Sequence, residues 1–152
     1  MRIKHLYHSA RCTLRPDMTV KEALVAMHEG HSNGSVVLDD SGKIVGILTI
    51  QDLAGAVVPP EYSDDSKLAA ALYREGYVEE QIQAIATRPI AQIMRREFVT
   101  VEVEDNLLAI MADFLQNDLY ILPVLDKGVF VGVISRRDVK DMFITTLGLD
   151  SA

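Results

Sequence analysis

Gly46-Ile-Leu-Thr49-Ile-Gln-Asp52 and Gly132-Val-Ile-Ser135-Arg-Arg-Asp138 are two versions of one heptapeptide, Gly-apolar-x-[Ser/Thr]-x-x-Asp, and their recurrence decides the fold. Working outward, the likeness extends upstream. Cys12-Thr-Leu-Arg-Pro-Asp-Met-Thr-Val-Lys-Glu-Ala-Leu-Val-Ala-Met27 aligns with Val99-Thr-Val-Glu-Val-Glu-Asp-Asn-Leu-Leu-Ala-Ile-Met-Ala-Asp-Phe114, with Thr13 and Thr100 standing 87 residues apart. Val37-Leu38-Asp39 and Val124-Leu125-Asp126 keep that spacing, whereas Gly46 and Gly132 are 86 apart. A hairpin turn is where one residue can be lost without changing strand register. Self-similarity at a fixed spacing marks a repeated structural unit.

Each copy predicts the order β-α-β-β-α. A short strand (Thr13-Leu14, or Phe98 to Val101) leads into a helix. Thr19 and Glu22 have capping-box spacing, and Val20, Ala23, Leu24 and Met27 fall on one helical face. In the second copy Asn106 is the cap, and Leu107, Ile110, Met111 and Phe114 form the face. Two strands follow, Ser35–Leu38 and Ile44–Leu48 around Asp-Asp-Ser-Gly-Lys, then Ile121–Leu125 and Val129–Ile134 around Asp126-Lys-Gly128. A last helix starts near Ile50 or Arg136. The fold class is α+β. Residues 1–58 form the first repeat, 59–90 a helical insertion, and 91–152 the second repeat. One such unit is a poor stand-alone domain, so the copies are expected to pack with pseudo-twofold symmetry around one shared core. In the insertion, Pro59-Pro60 ends the preceding helix, Ser63 or Asp64 caps a helix over Ser66–Glu75 with acids in its first turn, Gly76 closes it, and a second helix covers Val78–Thr87.

The 152 residues are 49% apolar, enough for a real core and too apolar for a disordered chain. The net charge of −7 excludes a general nucleic-acid binder with a basic face. Residues 1–52 balance six basic against six acidic groups, residues 53–90 carry three against six, and residues 91–152 six against ten. The arginines gather locally, as Arg95–Arg96, Arg136–Arg137 and Arg11 with Arg15. A lone cysteine, Cys12, forms no internal disulfide, and no apolar run is long enough to span a bilayer. With no apolar leader at its start, the chain reads as a cytoplasmic protein without membrane partners.

The two heptapeptides, each after a β-α-β-β pattern, resemble the signature of CBS domains, the modules named after cystathionine β-synthase. The resemblance covers about 90 residues and implies a tandem pair, or Bateman module, with two related clefts between its halves. It also implies an adenine nucleotide (AMP, ADP or ATP) as a regulatory ligand rather than a catalytic cofactor, and a homodimer of pairs. It places Thr13 and Thr100 on the first strand of each copy, helping to hold the base. Gly34-Ser35-Val36 and Ile121-Leu122-Pro123 then line the base pocket. Some nucleotide-binding relatives carry a basic residue where Gly34 and Ile121 stand here, a departure that bears on phosphate recognition.

The chemistry can be read from the residues as well. A carboxylate accepts hydrogen bonds from both cis hydroxyls of a ribose, and Asp52 and Asp138 stand in the first turn of a helix that follows a strand. Thr49 and Ser135 add a hydroxyl at the helix entrance, where free N–H groups favour a phosphate. Gly46 and Gly132 allow close approach of ligand or backbone. Arg136 and Arg137 favour the second cleft for a charged nucleotide, since Ile50 and Gln51 stand in the first. Ser/Thr-x-x-Asp is also capping-box spacing, which stabilises a helix and binds nothing. Three readings follow. The first is a sensory module that signals in trans to an effector protein. The second is a scaffold that has lost its ligand, and the third a small metal-dependent hydrolase. His5-x-x-His8-x-x-x-Cys12, with His28 and His31, supplies the metal option, though surface histidines explain it as well. No nucleophile stands marked with its base and no phosphate-binding glycine loop occurs, so no catalytic residue is assigned and the chain reads as a non-enzyme.

Overall fold

The computed structural model describes residues 3–117 and 121–150. Two three-stranded sheets carry the chain. The first repeat runs β1 (Thr13–Leu14), α1 (Val20–Glu29), β2 (Gly34–Leu38), β3 (Ile44–Thr49) and α2 (Ile50–Val57). The second runs β4 (Val101–Glu102), α5 (Leu107–Asn117), β5 (Ile121–Asp126), β6 (Val129–Ser135) and α6 (Arg136–Thr146). Between them lie α3 (Ser66–Leu72) and α4 (Tyr77–Ile85). Each sheet pairs its first strand parallel and its third antiparallel to a central one, in the orders β1-β2-β3 and β4-β5-β6. This is the α+β architecture with two β-α-β-β-α repeats that the motif spacing predicts.

The change in repeat spacing has a local cause. In the first hairpin Asp39 N–H donates to Lys43 C=O, leaving a three-residue loop with Gly42 at φ +84°. The second hairpin pairs Asp126 with Val129, leaving Lys127 and Gly128, both at positive φ as a two-residue turn demands. Irregular pairing between Val37 and Leu38 recurs between Val124 and Leu125, so the copies share even their bulge position.

Alternation along the central strands divides the apolar residues into two sets. Val37 and Leu48 point to the helices of the first repeat, and Leu122, Val124 and Ile134 to those of the second. Val36 and Ile47 meet Ile121 and Val133 between the two sheets. The expected single shared core is thus three clusters, one behind each sheet and one at the seam.

The segment before each repeat packs against the other repeat. Ile3 and Leu6 are buried in the second core beside Val101 and Ile110. Ile85, Ile90 and Met94 complete the first core beside Leu14 and Met27. His8 pairs with Val133 of β6, and Arg95 with Ile47 of β3, each through two backbone hydrogen bonds of 2.8–3.1 Å. These approaches explain the two motif glycines. A Cβ on Gly46 would lie 2.7 Å from Met94 Sδ, and one on Gly132 would enter the His8 carbonyl oxygen and come within 2.8 Å of Tyr7 Cδ2. Of the two uses open to these glycines, the close approach is to the exchanged segments: to the His8 backbone at Gly132, and to the Met94 side chain and the Arg95 carbonyl at Gly46.

The insertion differs from its expected form. Asp65, not Ser63 or Asp64, caps α3, its carboxylate accepting the Leu68 N–H at 3.0 Å. The helix ends at Leu72, because Tyr73 is extended, and its first turn holds no acid. Gly76, at φ +87°, precedes α4 rather than closing α3. The insertion packs on the first repeat. Beyond Ile85, the Arg88 and Ala86 carbonyls accept the Val20 and Lys21 N–H groups at 2.9 and 3.0 Å. Those are donors at the start of α1 that an isolated helix leaves unpaired. Thr19 accepts the next, from Glu22, completing the capping box.

Candidate functional site

Thr49 and Ser135 each end a strand and begin a helix, which fixes the two motif carboxylates by identical bonds. Asp52 Oδ2 accepts the Thr49 N–H and Oγ1–H, both at 2.9 Å. Asp138 Oδ2 accepts the Ser135 N–H at 2.7 Å and Oγ–H at 2.9 Å. Each hydroxyl accepts in return the N–H of its aspartate, at 3.3 and 3.4 Å, so both motifs form complete capping boxes. The helix-stabilising reading of Ser/Thr-x-x-Asp is therefore realised in both copies. It does not exhaust the carboxylates, because the cap uses one oxygen of each.

The exchanged segments bring a basic group to each carboxylate. Arg95 Nη2 reaches Asp52 Oδ1 at 3.4 Å. His8 Nδ1 lies 2.9 Å from both oxygens of Asp138. A carboxylate only accepts, so Nδ1 is the protonated nitrogen of His8. Asp52 and Asp138 retain 13% and 15% of their side-chain exposure, so both carboxylates are mostly shielded yet still reachable.

A cavity of about 740 Å³ opens at the second motif. Its floor is the seam between the sheets, Val36 with Ile121 and Val133. The second repeat lines it with Ser135, Arg136, Arg137, Asp138 and Asp141, and the first repeat with the turn after α1, His31 to Gly34, leading into Ser35. Arg11 and Cys12 line it as well, and Cys12 Sγ is 2.7 Å from Ser35 Oγ. Gly34 leaves room where the two repeats meet, for a Cβ there would touch Thr49 Cγ2 at 3.3 Å and Ile121 Cγ2 at 3.6 Å. Three arginines against two aspartates give the cavity a positive balance in a chain of net charge −7. A ligand here meets an apolar floor, backbone and hydroxyl groups from one repeat, and a carboxylate with guanidinium groups from the other. That is a layout for a flat apolar ring joined to a diol and an anionic tail.

Of the residues singled out from sequence, Ser35, Ile121, Ser135, Arg136, Arg137 and Asp138 line this cavity. Thr13, Thr49, Asp52, Thr100, Leu122 and Pro123 are not among its lining residues. Leu122 is wholly buried in the second core, since it alternates with Ile121 along β5 and points away from the seam. Its side chain therefore does not line a base pocket. Thr13 lies in β1 and is exposed, but Thr100 precedes β4, which begins at Val101. Arg11 and Asp141 carry no ligand assignment from sequence, and Cys12 and His31 enter there only as candidates for a metal. The partnership of His8 with Asp138 was missed as well, yet a signal existed. His8 and Arg95 stand 87 residues apart, the spacing of the repeat itself, so carrying the alignment further upstream pairs the two bases. Among the described residues no group of three or more His, Cys, Asp or Glu is placed to hold a metal ion. None of the described helices is long and apolar enough to cross a membrane.

The family described as CBS domain matches residues 4–59 and again residues 90–144. A CBS domain-containing protein of Dictyostelium discoideum is 25% identical over 146 residues, covering 95% of this chain and 92% of that protein. The crystal structure of a CBS-domain containing protein from Agrobacterium tumefaciens superposes with a TM-score of 0.73 at 22% identity, over 95% of this chain and all of the other. A CBS domain pair solved in complex with 5′-methylthioadenosine and S-adenosyl-L-methionine gives a TM-score of 0.69 at 20% identity, over 94% of this chain and 99% of that one. At these identities the structural likeness speaks to the fold.

Proposed function

Because the chain belongs to the CBS-domain family and carries the domain twice, we propose that it is a regulatory module that binds an adenosine-containing small molecule in the cleft at Asp138. The observation that carries this reading is the cavity of about 740 Å³ in which a helix-entrance carboxylate, guanidinium groups and an apolar seam converge. Its volume falls within the range of about 300–1,000 Å³ that small-molecule sites occupy. Asp138 is offered to the ribose hydroxyls, and the seam of Val36 and Ile121 to the base. Arg136, Arg137 and Arg11 face a phosphate, so AMP, ADP and ATP are the first ligands to try. The adenosine compounds bound by a structural relative support an adenosine-type ligand. Because the cleft is walled by both repeats, occupancy biases their relative angle, and the ligand shifts that equilibrium by its difference in affinity for the two arrangements. The change is read by a partner protein in trans or by the second copy of a homodimer. We place the protein in the cytoplasm, acting without catalysis.

One observation favours a second reading, an interaction protein that keeps the fold without a ligand. Both motif carboxylates already hold a cap and a basic side chain. Titration calorimetry of the purified protein with AMP, ADP, ATP and S-adenosylmethionine separates the two, together with mass spectrometry of any small molecule that copurifies. Saturable heat and a matching rise in melting temperature are expected for at least one nucleotide. Neither heat nor thermal shift at millimolar ligand would leave the interaction reading standing.

A further inference from the structure

We propose that His8 is the gate of the cleft: its imidazole competes with the ribose for the Asp138 carboxylate, and its protonation sets the affinity for the ligand. This rests on the functional reading above. The geometry is specific. His8 Nδ1 lies 2.9 Å from both Asp138 oxygens, and Oδ2 also serves the helix cap. A ribose diol needs the same acceptors, so the sugar and the imidazole cannot both be fully bonded there. The backbone of His8 is held to β6 by its pairing with Val133, so the ring can swing aside while the chain stays in place.

The sign follows from charge. An imidazolium makes a charge-assisted bond to the carboxylate, roughly twice as strong as the bond from a neutral ring. Protonation therefore holds the gate shut and weakens sugar binding, and histidine changes charge between about pH 5 and pH 8. On α6, the carboxylates of Asp138 and Asp141 and the guanidinium groups of Arg136 and Arg137 share the cavity with the ring. Arg11, Cys12 and His31 line the same cavity. The His8 variants separate the contribution of this ring from that of His31. The equivalent contact in the first repeat uses Arg95 on Asp52, and a guanidinium keeps its charge throughout this range. The two motifs therefore differ in kind: only the second has a partner that physiological pH can release.

Adenosine is the probe, because it carries no phosphate to titrate. Its dissociation constant is measured by calorimetry at about pH 5.5 and about pH 8, spanning the range in which histidine titrates. Native protein is expected to bind roughly fivefold more weakly at the lower pH, the scale of a partly exposed ion pair. His8→Gln keeps an amide donor without a titrating group, and its ratio should stay within about twofold. His8→Ala should bind more tightly than native protein at the lower pH. If His8→Gln keeps the native pH ratio, the gate is wrong even though the cleft binds. If no form binds adenosine at either pH, the gate as a competitor of the ribose is overturned, while the nucleotide calorimetry above decides the functional reading separately. Proton NMR of the His8 ring gives an independent readout: saturating adenosine at about pH 8 should move its ring resonances as the imidazole leaves the carboxylate, and resonances that stay in place while adenosine binds would overturn the proposal on their own.

Discussion

Replacing Gly132 by alanine tests the exchange of segments on which both cores depend. The added methyl would enter the His8 carbonyl oxygen and press on Tyr7 Cδ2 at 2.8 Å. The chain can yield in two ways. If the N-terminal segment leaves the sheet, it loses the two backbone bonds between His8 and Val133, about 2 kcal/mol in all. It also exposes Ile3 and Leu6, now 1% and 6% exposed, for roughly another 3–6 kcal/mol. If instead the segment stays and shifts, the strain of an overpacked contact is about 1–3 kcal/mol. The second route is cheaper, so Gly132→Ala should cost about 2–3 kcal/mol and lower the melting temperature by roughly 4–12 °C. Gly46→Ala is the matched control. There the nearest atom is the Met94 sulfur, the far part of a flexible side chain, although the Arg95 carbonyl stands 3.0 Å away. Its cost should be smaller, about 1–2 kcal/mol. Thermal melts followed by circular dichroism decide the order. A Gly132→Ala protein as stable as the native one, or less affected than Gly46→Ala, would refute the packing of residues 3–8 on the second repeat.

Two further substitutions follow from local geometry. Gly55 is exposed inside α2, with nothing within 4 Å of where a Cβ would stand, so Gly55→Ala should stabilise by about 0.5–1 kcal/mol in the same melts. The Asp39 carboxyl is held below its ordinary range by the Ser41 hydroxyl and by the Lys43 and Ser41 N–H groups, at 2.6, 3.0 and 2.9 Å. A depressed carboxyl contributes stability above its unfolded value and loses it as pH falls through the folded one. Asp39→Ala should therefore melt below native protein at neutral pH, and the gap should close as the pH drops below the usual carboxylate range. A gap that persists in acid would contradict this role.

Much of the fold was legible because each repeat encodes its own local rules. Thr19 with Glu22, and the turn residues Gly42 and Lys127-Gly128, carry signals that act within a few residues. The spacing of the two heptapeptides then fixed which elements correspond. What stayed hidden is tertiary. Ile3 and Leu6 look like any apolar pair near a terminus, and nothing local says that they cross to the second repeat. Leu122 was misread for the same reason, since alternation along β5 gives two faces but does not say which one meets the cleft. In the insertion, Asp64 and Asp65 are equivalent cap residues by composition, and only the chain path to Leu68 selects Asp65. At the site, the aspartates were found from their chemistry, whereas the bases facing them arrive by the exchanged segments.

Asp52→Ala and Asp138→Ala together give the sharpest test of a sugar-binding carboxylate in the second cleft. Both remove the same half of a capping box and a contact to a basic side chain, so both should lose stability on the order of 1 kcal/mol, and ligand affinity is what separates them. Calorimetry with AMP on the two variants and the native protein is the measurement. Asp138→Ala should weaken binding roughly tenfold or more, as loss of a charged acceptor does, while Asp52→Ala stays within about twofold of native. Equal losses, or a larger loss at Asp52, would contradict it.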